Sequence, residues 1–466
     1  MTYKKLIKRE PLYCNYRSIR GEEGMDKYTF ASVLKEHITE SKLSIASLSR
    51  LSDVNRTMIQ KYISGTQLPA NHEILDKILN HLALTNSQKE ELSQLYKIEK
   101  IGLETYKQLL NLDSFMSQLS MHNRNQSKCH IQIHFDHPIT QASNREELIV
   151  LLYSFLSSLD NQTLDIILNV NDILHPIILP FIKERKLDTH IILCLSNQTT
   201  HYSMNLFQLE KLLPLLESNH VSVHYTYIDC PTRYSLYPFS ISSKDKLLLI
   251  NNDISQGLLI NQSNNQKEFN DHFMNTSLFV ESYYNDIAKL NGLLTLSNEN
   301  QKVCCYCGDL FLLPYIDEQL LESHYIGNEI YKEELFYRFK SFKENQFQLY
   351  CQSPIITEHY LPLGLPPTLF KPFTTKEIQS ILLKMLEDIP YNTELNLLKN
   401  NILDKDVVIM TGTTGSFISN HSLSFTVLES TINKSLNLLP LLFKELKESV
   451  YTKEESIFYL QSYIKE

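Results

Sequence analysis

Between Thr29 and Leu84 the apolar residues recur every three or four positions, in short segments separated by polar turns. This spacing places the apolar side chains along one face of a helix. The first segment shows it with Phe30, Val33, Leu34 and Ile38. The pattern predicts closely spaced helices that bury their apolar faces against each other in a small all-α domain.

Residues with helix-capping side chains mark the next two helices. We expect Ser44 to cap a second helix that carries Ile45, Leu48 and Leu51. The run Ser52-Asp53-Val54 ends it, and Asn55 then caps a third helix, Arg56 to Ile63. That helix stops at Ser64-Gly65, where glycine can adopt the left-handed conformation of a helix exit.

Two more helices complete the predicted domain. Leu68-Pro69 and Asn71 introduce a fourth helix, and a fifth begins at Ser87. A connecting helix is expected near Tyr106 to Leu119. The inward residues of the fourth helix are Ile74, Leu75, Ile78, Leu79 and Leu82.

The second and third helices and their surroundings read LSIASLSRLSDVNRTMIQKYISGTQLP. This stretch resembles the lambda-repressor-like helix-turn-helix of the Cro/C1, or XRE, family of transcriptional regulators. It departs from the family at Asp53, where glycine is common, and aspartate tolerates a left-handed backbone better than most residues. Tyr62 and Ile63 replace a frequent apolar-acidic pair.

The resemblance implies that the third helix reads the major groove of double-stranded DNA, with Ile59 and Ile63 buried against the preceding helix. Residues matching Asn55, Thr57 and Gln60 face base edges or nearby phosphates in this family. The remaining predicted contacts come from Arg56 and Lys61, to the backbone or guanine, and from Ser44, to phosphate.

Charge supports this assignment only in part. Residues 1–100 hold 16 basic and 12 acidic residues, or +4, although the whole chain carries −9. The run Arg20-Gly21-Glu22-Glu23-Gly24 is what a translated ribosome-binding site would encode, so we expect Met25 to be the natural start. Residues 25–100 then carry only +1, and the helix pattern is the main support for DNA binding.

Beyond about residue 126 short β-rich runs alternate with helical segments, which predicts an α/β layer with mainly parallel strands. A hairpin is expected at Lys246–Ile250 and Gly257–Ile260, and a long helix at Asn270–Leu290. The other predicted elements of this first lobe are strands His130–Phe135, Leu164–Val170, His190–Leu195 and Val221–Ile228, and helices Asn144–Leu159, His175–Glu184 and Leu206–Ser218.

A second lobe is expected from Lys302, where VCCYC predicts a buried strand. Two helices follow through Phe342, and closing helices run to Glu466. Between them we expect strands Phe347–Cys351, Val407–Met410 and Leu423–Val427 and the helix Thr375–Ile389.

Three features of these lobes suggest chemistry, and each has a simpler interpretation. Cys304 and Cys307 form a CxxC without a second ligand pair, so we expect neither a metal nor a cofactor. The run from Met410 to Ser416 lacks the lysine of a phosphate-binding loop and predicts a turn between strands. The histidines near strand ends, His175, His190, His201 and His224, are expected to be surface or structural residues.

Parts of the first lobe, HYTYIDCP and SKDKLLLINNDISQGLLI, are similar to phospholipase-D-like regulatory domains of some bacterial and archaeal regulators. The enzymes of that superfamily use an HxK histidine, and none of the 16 histidines here has lysine two positions later. HExxH and GxSxG are also missing. We therefore expect no enzymatic activity, and a sensor or assembly role for this region.

The fold expected overall is multidomain, with an all-α helix-turn-helix domain followed by an α/β region of two lobes. The predicted boundaries are 27–97 for the DNA-binding domain, 98–125 for a helical linker, 126–300 for the first lobe and 301–466 for the second. No apolar run approaches the roughly 18 residues of a membrane span, and the cysteines are sparse, so we expect a cytoplasmic protein without membrane contact. Only 11 glycines, no tryptophan and abundant Asn, Lys, Ile and Leu suggest an AT-rich bacterial genome.

The function expected is sequence-specific transcription regulation by a homodimer, with an unidentified small-molecule or peptide effector. Two alternatives stay open. The large region could be an enzyme that the helix-turn-helix directs to DNA, or the whole chain could be an antitoxin or phage-defence interaction protein, which a stable co-purifying partner would show.

Overall fold

A computed structural model of the chain describes residues 29–120, 137–159, 163–169, 173–197, 202–227, 236–261, 273, 276–296, 301–352, 359–399 and 402–465. The predicted strand His130–Phe135 and the suspected start at Met25 lie outside these residues. So do His201 and the ends of two predicted strands, Val170 and Ile228.

The chain divides between Lys107 and Gln108 into two compact units. The described part of the first unit is helical, and the predicted helices are confirmed. The fifth begins one residue earlier than expected, because Thr85 caps it in a capping box with Gln88. The helices are α1 (Phe30–Glu40), α2 (Ile45–Ser52), α3 (Arg56–Ile63), α4 (His72–Leu79), α5 (Asn86–Ile101) and α6 (Leu103–Ser120), whose residues from Gln108 onward belong to the second unit.

The first unit has its own apolar core. Phe30, Leu48, Ile59 and Leu75 come from four different helices and are fully buried. Tyr96 on α5 closes this core, since its ring packs 5.9 Å from the ring of Phe30 and its hydroxyl donates to the carbonyl of Pro69 at 3.1 Å. Each short helix is therefore stabilised mainly by packing.

The second unit is built on one large sheet. Among the described residues it has fourteen strands, which are β1 (Ile139–Ala142), β2 (Leu164–Ile167), β3 (Thr189–Leu195), β4 (Val221–Tyr227), β5 (Phe239–Ser242), β6 (Lys246–Ile250), β7 (Gly257–Asn261), β8 (Ser277–Ser282), β9 (Lys302–Cys307), β10 (Gln346–Gln352), β13 (Thr393–Leu398), β14 (Val408–Thr411), β15 (Ser416–Ser419) and β16 (Ser424–Val427). They follow each other in the order β1-β7-β6-β5-β2-β3-β4-β8-β16-β15-β14-β9-β10-β13. A separate pair is formed by β11 (His359–Tyr360) and β12 (Phe373–Thr374).

Helices lie between many of these strands. They are α7 (Arg145–Ser157), α8 (His175–Arg185), α9 (Tyr202–Leu212), α10 (Asp286–Thr295), α11 (Glu318–His324), α12 (Glu329–Lys343), α13 (Thr375–Asp388), α14 (Ser430–Leu436), α15 (Leu439–Leu441), which continues into a π-helical turn, and α16 (Lys453–Lys465).

The sheet is mixed, so the prediction of mainly parallel strands is wrong. The parallel pairs are β2 with β3, β3 with β4, β9 with β10 and β10 with β13, and the other neighbours are antiparallel. Helical crossovers connect the parallel strands, whereas β5-β6-β7 and β14-β15-β16 are joined by short turns that force antiparallel pairing. The predicted hairpin of Lys246–Ile250 with Gly257–Ile260 is confirmed, since β6 pairs antiparallel with β7.

The predicted long helix Asn270–Leu290 is also wrong over its described residues, and residues 270–272, 274 and 275 lie outside them. Its middle forms strand β8, which pairs with β4 on one side and β16 on the other. A shorter helix, α10, begins after the cap residue Asn285. The segment SLFVES has too few residues for its apolar spacing to distinguish a strand from a helix, and pairing on both edges decides the outcome.

Both predicted lobes contribute to the same sheet. Strands β1 to β8 come from residues 139–282 and strands β9 to β16 from residues 302–427. The two halves meet where β8 pairs antiparallel with β16, with Val280 opposite Val427. The sheet thus has no break between the lobes, and the domain boundaries stay predictions.

Candidate DNA-binding surface

Helix α2 begins at Ser44, whose hydroxyl accepts a hydrogen bond from the amide of Ser47 at 3.1 Å. The predicted cap is confirmed. Among the apolar residues of this helix, Leu51 is not buried, since 52% of its surface is exposed. The buried line of α2 runs through Leu48 and Ser52, four residues apart. Ser52 can be buried because its hydroxyl donates to the carbonyl of Leu48 at 2.7 Å.

The turn between α2 and α3 depends on a left-handed aspartate. Asp53 has φ 55° and ψ 30°, a left-handed conformation that glycine adopts most easily and that aspartate tolerates better than most residues. The hydroxyl of Ser49 donates to the carbonyl of Val54 at 2.7 Å across this turn, and Val54 is buried. The sequence therefore builds the turn without glycine.

Helix α3 starts at Asn55, whose side-chain oxygen accepts from the amide of Thr57 at 2.8 Å. Ile59 is fully buried, as predicted. Ile63 is only half-buried, and Tyr62 fills the next inward position instead. Burial raises the pKa of the Tyr62 phenol, and the neighbouring Tyr96 raises it further.

The opposite face of α3 is polar and open to solvent. Thr57, Gln60 and Lys61 are exposed at spacings of three and four residues, so they form one stripe along the helix. The same spacing extends the stripe to Ser64, which the sequence interpretation omitted. Asn55, Arg56 and Ser44 are also exposed, so each predicted contact residue is accessible, and its role in binding stays a prediction.

Backbone hydrogen bonds close the end of α3. The amide of Gly65 donates to the carbonyl of Tyr62 at 3.2 Å, and that of Thr66 donates to the carbonyl of Lys61 at 3.1 Å. Gly65 has φ 72°, which confirms the predicted left-handed exit.

Positive charge is concentrated around this motif. Residues 41–70 contain four basic residues, Lys42, Arg50, Arg56 and Lys61, and one acidic residue, Asp53, for a net charge of +3. Residues 71–107 hold five basic and six acidic residues, for a net charge of −1. A local basic surface of this kind is what attraction to phosphates requires.

The cysteine motif lies on a buried strand, as predicted. Side chains alternate along β9, so Cys304 and Cys307 point to opposite faces of the sheet and cannot share a ligand. Cys305 and Cys307 are fully buried in the apolar core, and burial raises the pKa of both thiols. The thiol of Cys304 donates to the side-chain oxygen of Gln348 at 3.3 Å.

The glycine-containing run after Met410 is a turn between β14 and β15, as predicted, with Thr411 opposite Ser416.

Two of the predicted structural histidines lie close together. His190 on β3 and His224 on β4 both contact the ring of Phe273, with centroid distances of 5.6 and 4.1 Å. His190 Nδ1 lies 2.9 Å from Asp165 Oδ1, while His175 is the first residue of α8. No group of three acidic, histidine or cysteine side chains that could hold a metal occurs among the described residues.

A buried carboxylate that the sequence interpretation missed lies just after β16. Glu429 is completely buried and accepts hydrogen bonds from the amides of Thr431 and Ile432, both at 2.9 Å, and from the Thr431 and Tyr227 hydroxyls. Asn205 on α9 donates to the Thr431 hydroxyl at 2.8 Å. These groups satisfy each other and stabilise the sheet, so they do not form a vacant binding site.

No family model matches the chain, and no curated protein matches it significantly. Solved structures with some similarity include the archaeal chromatin protein TrmBL2, at 10% identity over 55% of this chain and 96% of that one, with a TM-score of 0.23. Polyphosphate kinase from Porphyromonas gingivalis has 9% identity over 70% of this chain and 54% of that one, with a TM-score of 0.20. Phosphatidylserine synthase from Haemophilus influenzae Rd KW20 has 9% identity over 70% and 91%, with a TM-score of 0.22. Similarity at these TM-scores supports no assignment of fold or function.

Within the described residues, no helix has both the length and the apolar character needed to cross a membrane.

Proposed function

We propose that the first unit binds double-stranded DNA as a helix-turn-helix of the Cro/C1 type, and that the chain is a bacterial, cytoplasmic, sequence-specific transcription regulator. The observation that carries the proposal is the exposed stripe of Thr57, Gln60 and Lys61 on α3. Ile59 and Tyr62 anchor the other side of the helix in the core, so the stripe is presented on a rigid element.

In this arrangement α3 enters the major groove, where some of its polar side chains contact bases and others contact the phosphate backbone. The amide of Gln60 matches the edge of adenine, and the guanidinium of Arg56 matches guanine or a phosphate. Thr57 and Asn55 contact bases or phosphates near the start of the helix. Ser44 and Lys61 contact the backbone and set the register of the helix in the groove.

The second unit has a non-catalytic role in this proposal, as an effector sensor or a dimerisation region. Two copies would present two α3 helices to half-sites about one turn of DNA apart. The lack of an HxK histidine in the chain supports a role other than phospholipase-type catalysis.

The test first selects a DNA sequence that the full chain binds from a random pool of double-stranded fragments. The full chain is then titrated against a fluorescent fragment of that sequence. We expect Arg56→Ala combined with Gln60→Ala to lower specific affinity at least about 10-fold, since each good base contact contributes roughly 1–3 kcal/mol. Unchanged affinity and unchanged sequence preference in this variant would refute the assignment.

Lysine substitutions supply a matched control. Lys61→Ala should weaken binding to all sequences and lower the salt slope by about one, because one phosphate contact is lost. Lys77→Ala removes an equally charged side chain from α4, where Lys77 pairs with Glu73 at 3.2 Å, and should leave both quantities unchanged. Equal losses in the two variants would mean that charge alone, without α3, governs binding.

A further inference from the structure

Helix α12 carries large apolar side chains on its solvent side. Ile330 is 80% exposed and Tyr337 is 72% exposed, and they lie seven residues apart on the same face. The opposite face of α12 is buried through Leu335, Phe339 and Phe342. The helix is therefore already anchored to its own unit, and its outer apolar line has no partner among the described residues.

The charges beside this apolar line are sorted along the helix. On the flanks of the apolar line, acidic residues occupy the first half and basic residues the second. Lys332 also lies in the first half, but it is only partly exposed and pairs with Glu322 at 3.0 Å and with Glu329 at 3.6 Å. Glu334 pairs with Arg338 at 2.5 Å within the helix, whereas the exposed Glu333 and Lys340 form no ion pair with any described residue. The charged residues on the solvent side are Glu329, Glu333, Glu334, Arg338 and Lys340.

Glu333 and Lys340 lie on the same flank of the apolar line. Seven residues correspond to almost two full turns, so the two positions differ by about 20° around the axis and by about 10 Å along it. An antiparallel copy of the helix reverses this order. A twofold axis near Tyr337 then places each Glu333 opposite the partner's Lys340. The two resulting pairs lie on the same side of the apolar line, one on each side of the axis along the helix.

We propose that this face of α12 binds the same face of a second copy of the chain, with the two helices antiparallel about that axis. The Tyr337 rings pack near the axis, and the two equivalent pairs of Glu333 with the partner's Lys340 close the interface on one side. Half-exposed Ile326 and Tyr331 extend the apolar contact. Because one helix face is small, the dissociation constant should be on the order of micromolar.

This surface would join two DNA-binding units. Only its biological role rests on the proposed function, because the contact between the two copies does not require DNA. Self-association is measured without DNA, so its failure is distinguishable from a failure of DNA binding. Lys61→Ala, which should weaken DNA binding, should leave self-association unchanged.

The test is sedimentation equilibrium of the full chain. At concentrations on the order of 50 micromolar we expect a mass near twice the 54.3 kDa of one chain. Glu333→Lys and Lys340→Glu should each weaken self-association at least about 10-fold, because each places like charges opposite each other. An equimolar mixture of the two variants should restore a dimer, since both charge pairs are favourable between unlike chains.

Two further variants complete the test. Tyr337→Ser should weaken association through lost apolar contact. Phe458→Ser removes a 75%-exposed aromatic ring from α16 and should have no effect. All substitutions are at exposed positions, and circular dichroism checks the fold. A monomeric parent chain, a dimer insensitive to the charge reversals, or two variants that do not associate when mixed would each overturn the proposal.

Discussion

At the scale of single residues, neighbouring histidines in the sheet respond oppositely to their surroundings. The hydrogen bond with Asp165 raises the pKa of His190 despite partial burial, and the charges of Asp165 and Asp188 add to this effect. Burial lowers the pKa of His224, and the adjacent His190 lowers it further. The same residue type on adjacent strands therefore changes the pH dependence of stability in opposite directions.

We expect His190→Asn to destabilise the full chain more at acidic pH than at alkaline pH. A raised pKa in the folded state means that the stabilising contribution is fully present below the ordinary value of 6.5 and is lost as pH rises through the folded value. The His190 side chain is 42% exposed, so the effect should stay under about 1 kcal/mol. Urea unfolding of both chains at several pH values measures it.

His224→Asn is the matched control with the opposite sign. Because the folded protein favours the neutral ring, the parent chain loses stability as pH falls through the ordinary value, and the variant should lose less. Parallel pH profiles for the two variants would contradict both assignments.

At the scale of elements, the alternation of side chains along a strand determines which residues can meet on one face of the sheet. Cys305 on β9 faces the apolar core and is fully buried, while Cys304 one residue earlier is half-buried on the other face. The alternation of side chains along the strand thus places Cys304 and Cys307, which suggest a metal site in the sequence, on opposite faces of the sheet. The alternation explains why the strand interpretation succeeds for these cysteines.

We expect Cys305→Ser to destabilise the second unit by about 2 kcal/mol, because a hydroxyl would be buried among apolar side chains without a partner. Cys304→Ser should cost less than half of this, since its position already contacts the Gln348 amide. Denaturant unfolding followed by circular dichroism compares the two. Equal losses would mean that β9 does not present these cysteines to different environments.

At the scale of the whole molecule, the join between the two halves of the sheet is the feature that organises the second unit. Strand β8 pairs with β16 there, and α9 packs on α14 across the same join. The buried Glu429 accepts from Tyr227 of the other half, and Asn205 reaches Thr431. Separating the halves would expose a strand edge and leave these polar groups without partners.

We therefore expect a chain of residues 108–296 to aggregate, because the edge of β8 would be free to pair with other chains. A chain of residues 108–466 retains the whole sheet and should be soluble and folded. Light scattering and circular dichroism of the purified chains give the comparison. A monodisperse, folded 108–296 chain would show that the first half is an independent domain.

The elements that sequence predicted well are those whose cause is local. Caps such as Ser44 and Asn55 bond to amides two or three residues away, and the left-handed positions Asp53 and Gly65 follow from backbone sterics. The exposed and buried faces of α3 follow from its own periodicity, with Tyr62 in place of Ile63 as the main error. The exposure of the residues on the candidate DNA-binding surface could therefore be predicted almost residue by residue, and their contacts with DNA stay predictions.

Tertiary structure alone decided the features that join distant segments. The exposure of Leu51 depends on which side of α2 meets the other helices, and the mixed direction of the sheet depends on how its hairpins and crossovers are placed. Strand β8 exists because β4 and β16 pair with its two edges. These pairings connect Val280 with Val223, 57 positions away, and with Val427, 147 positions away, so local periodicity and capping cannot determine them.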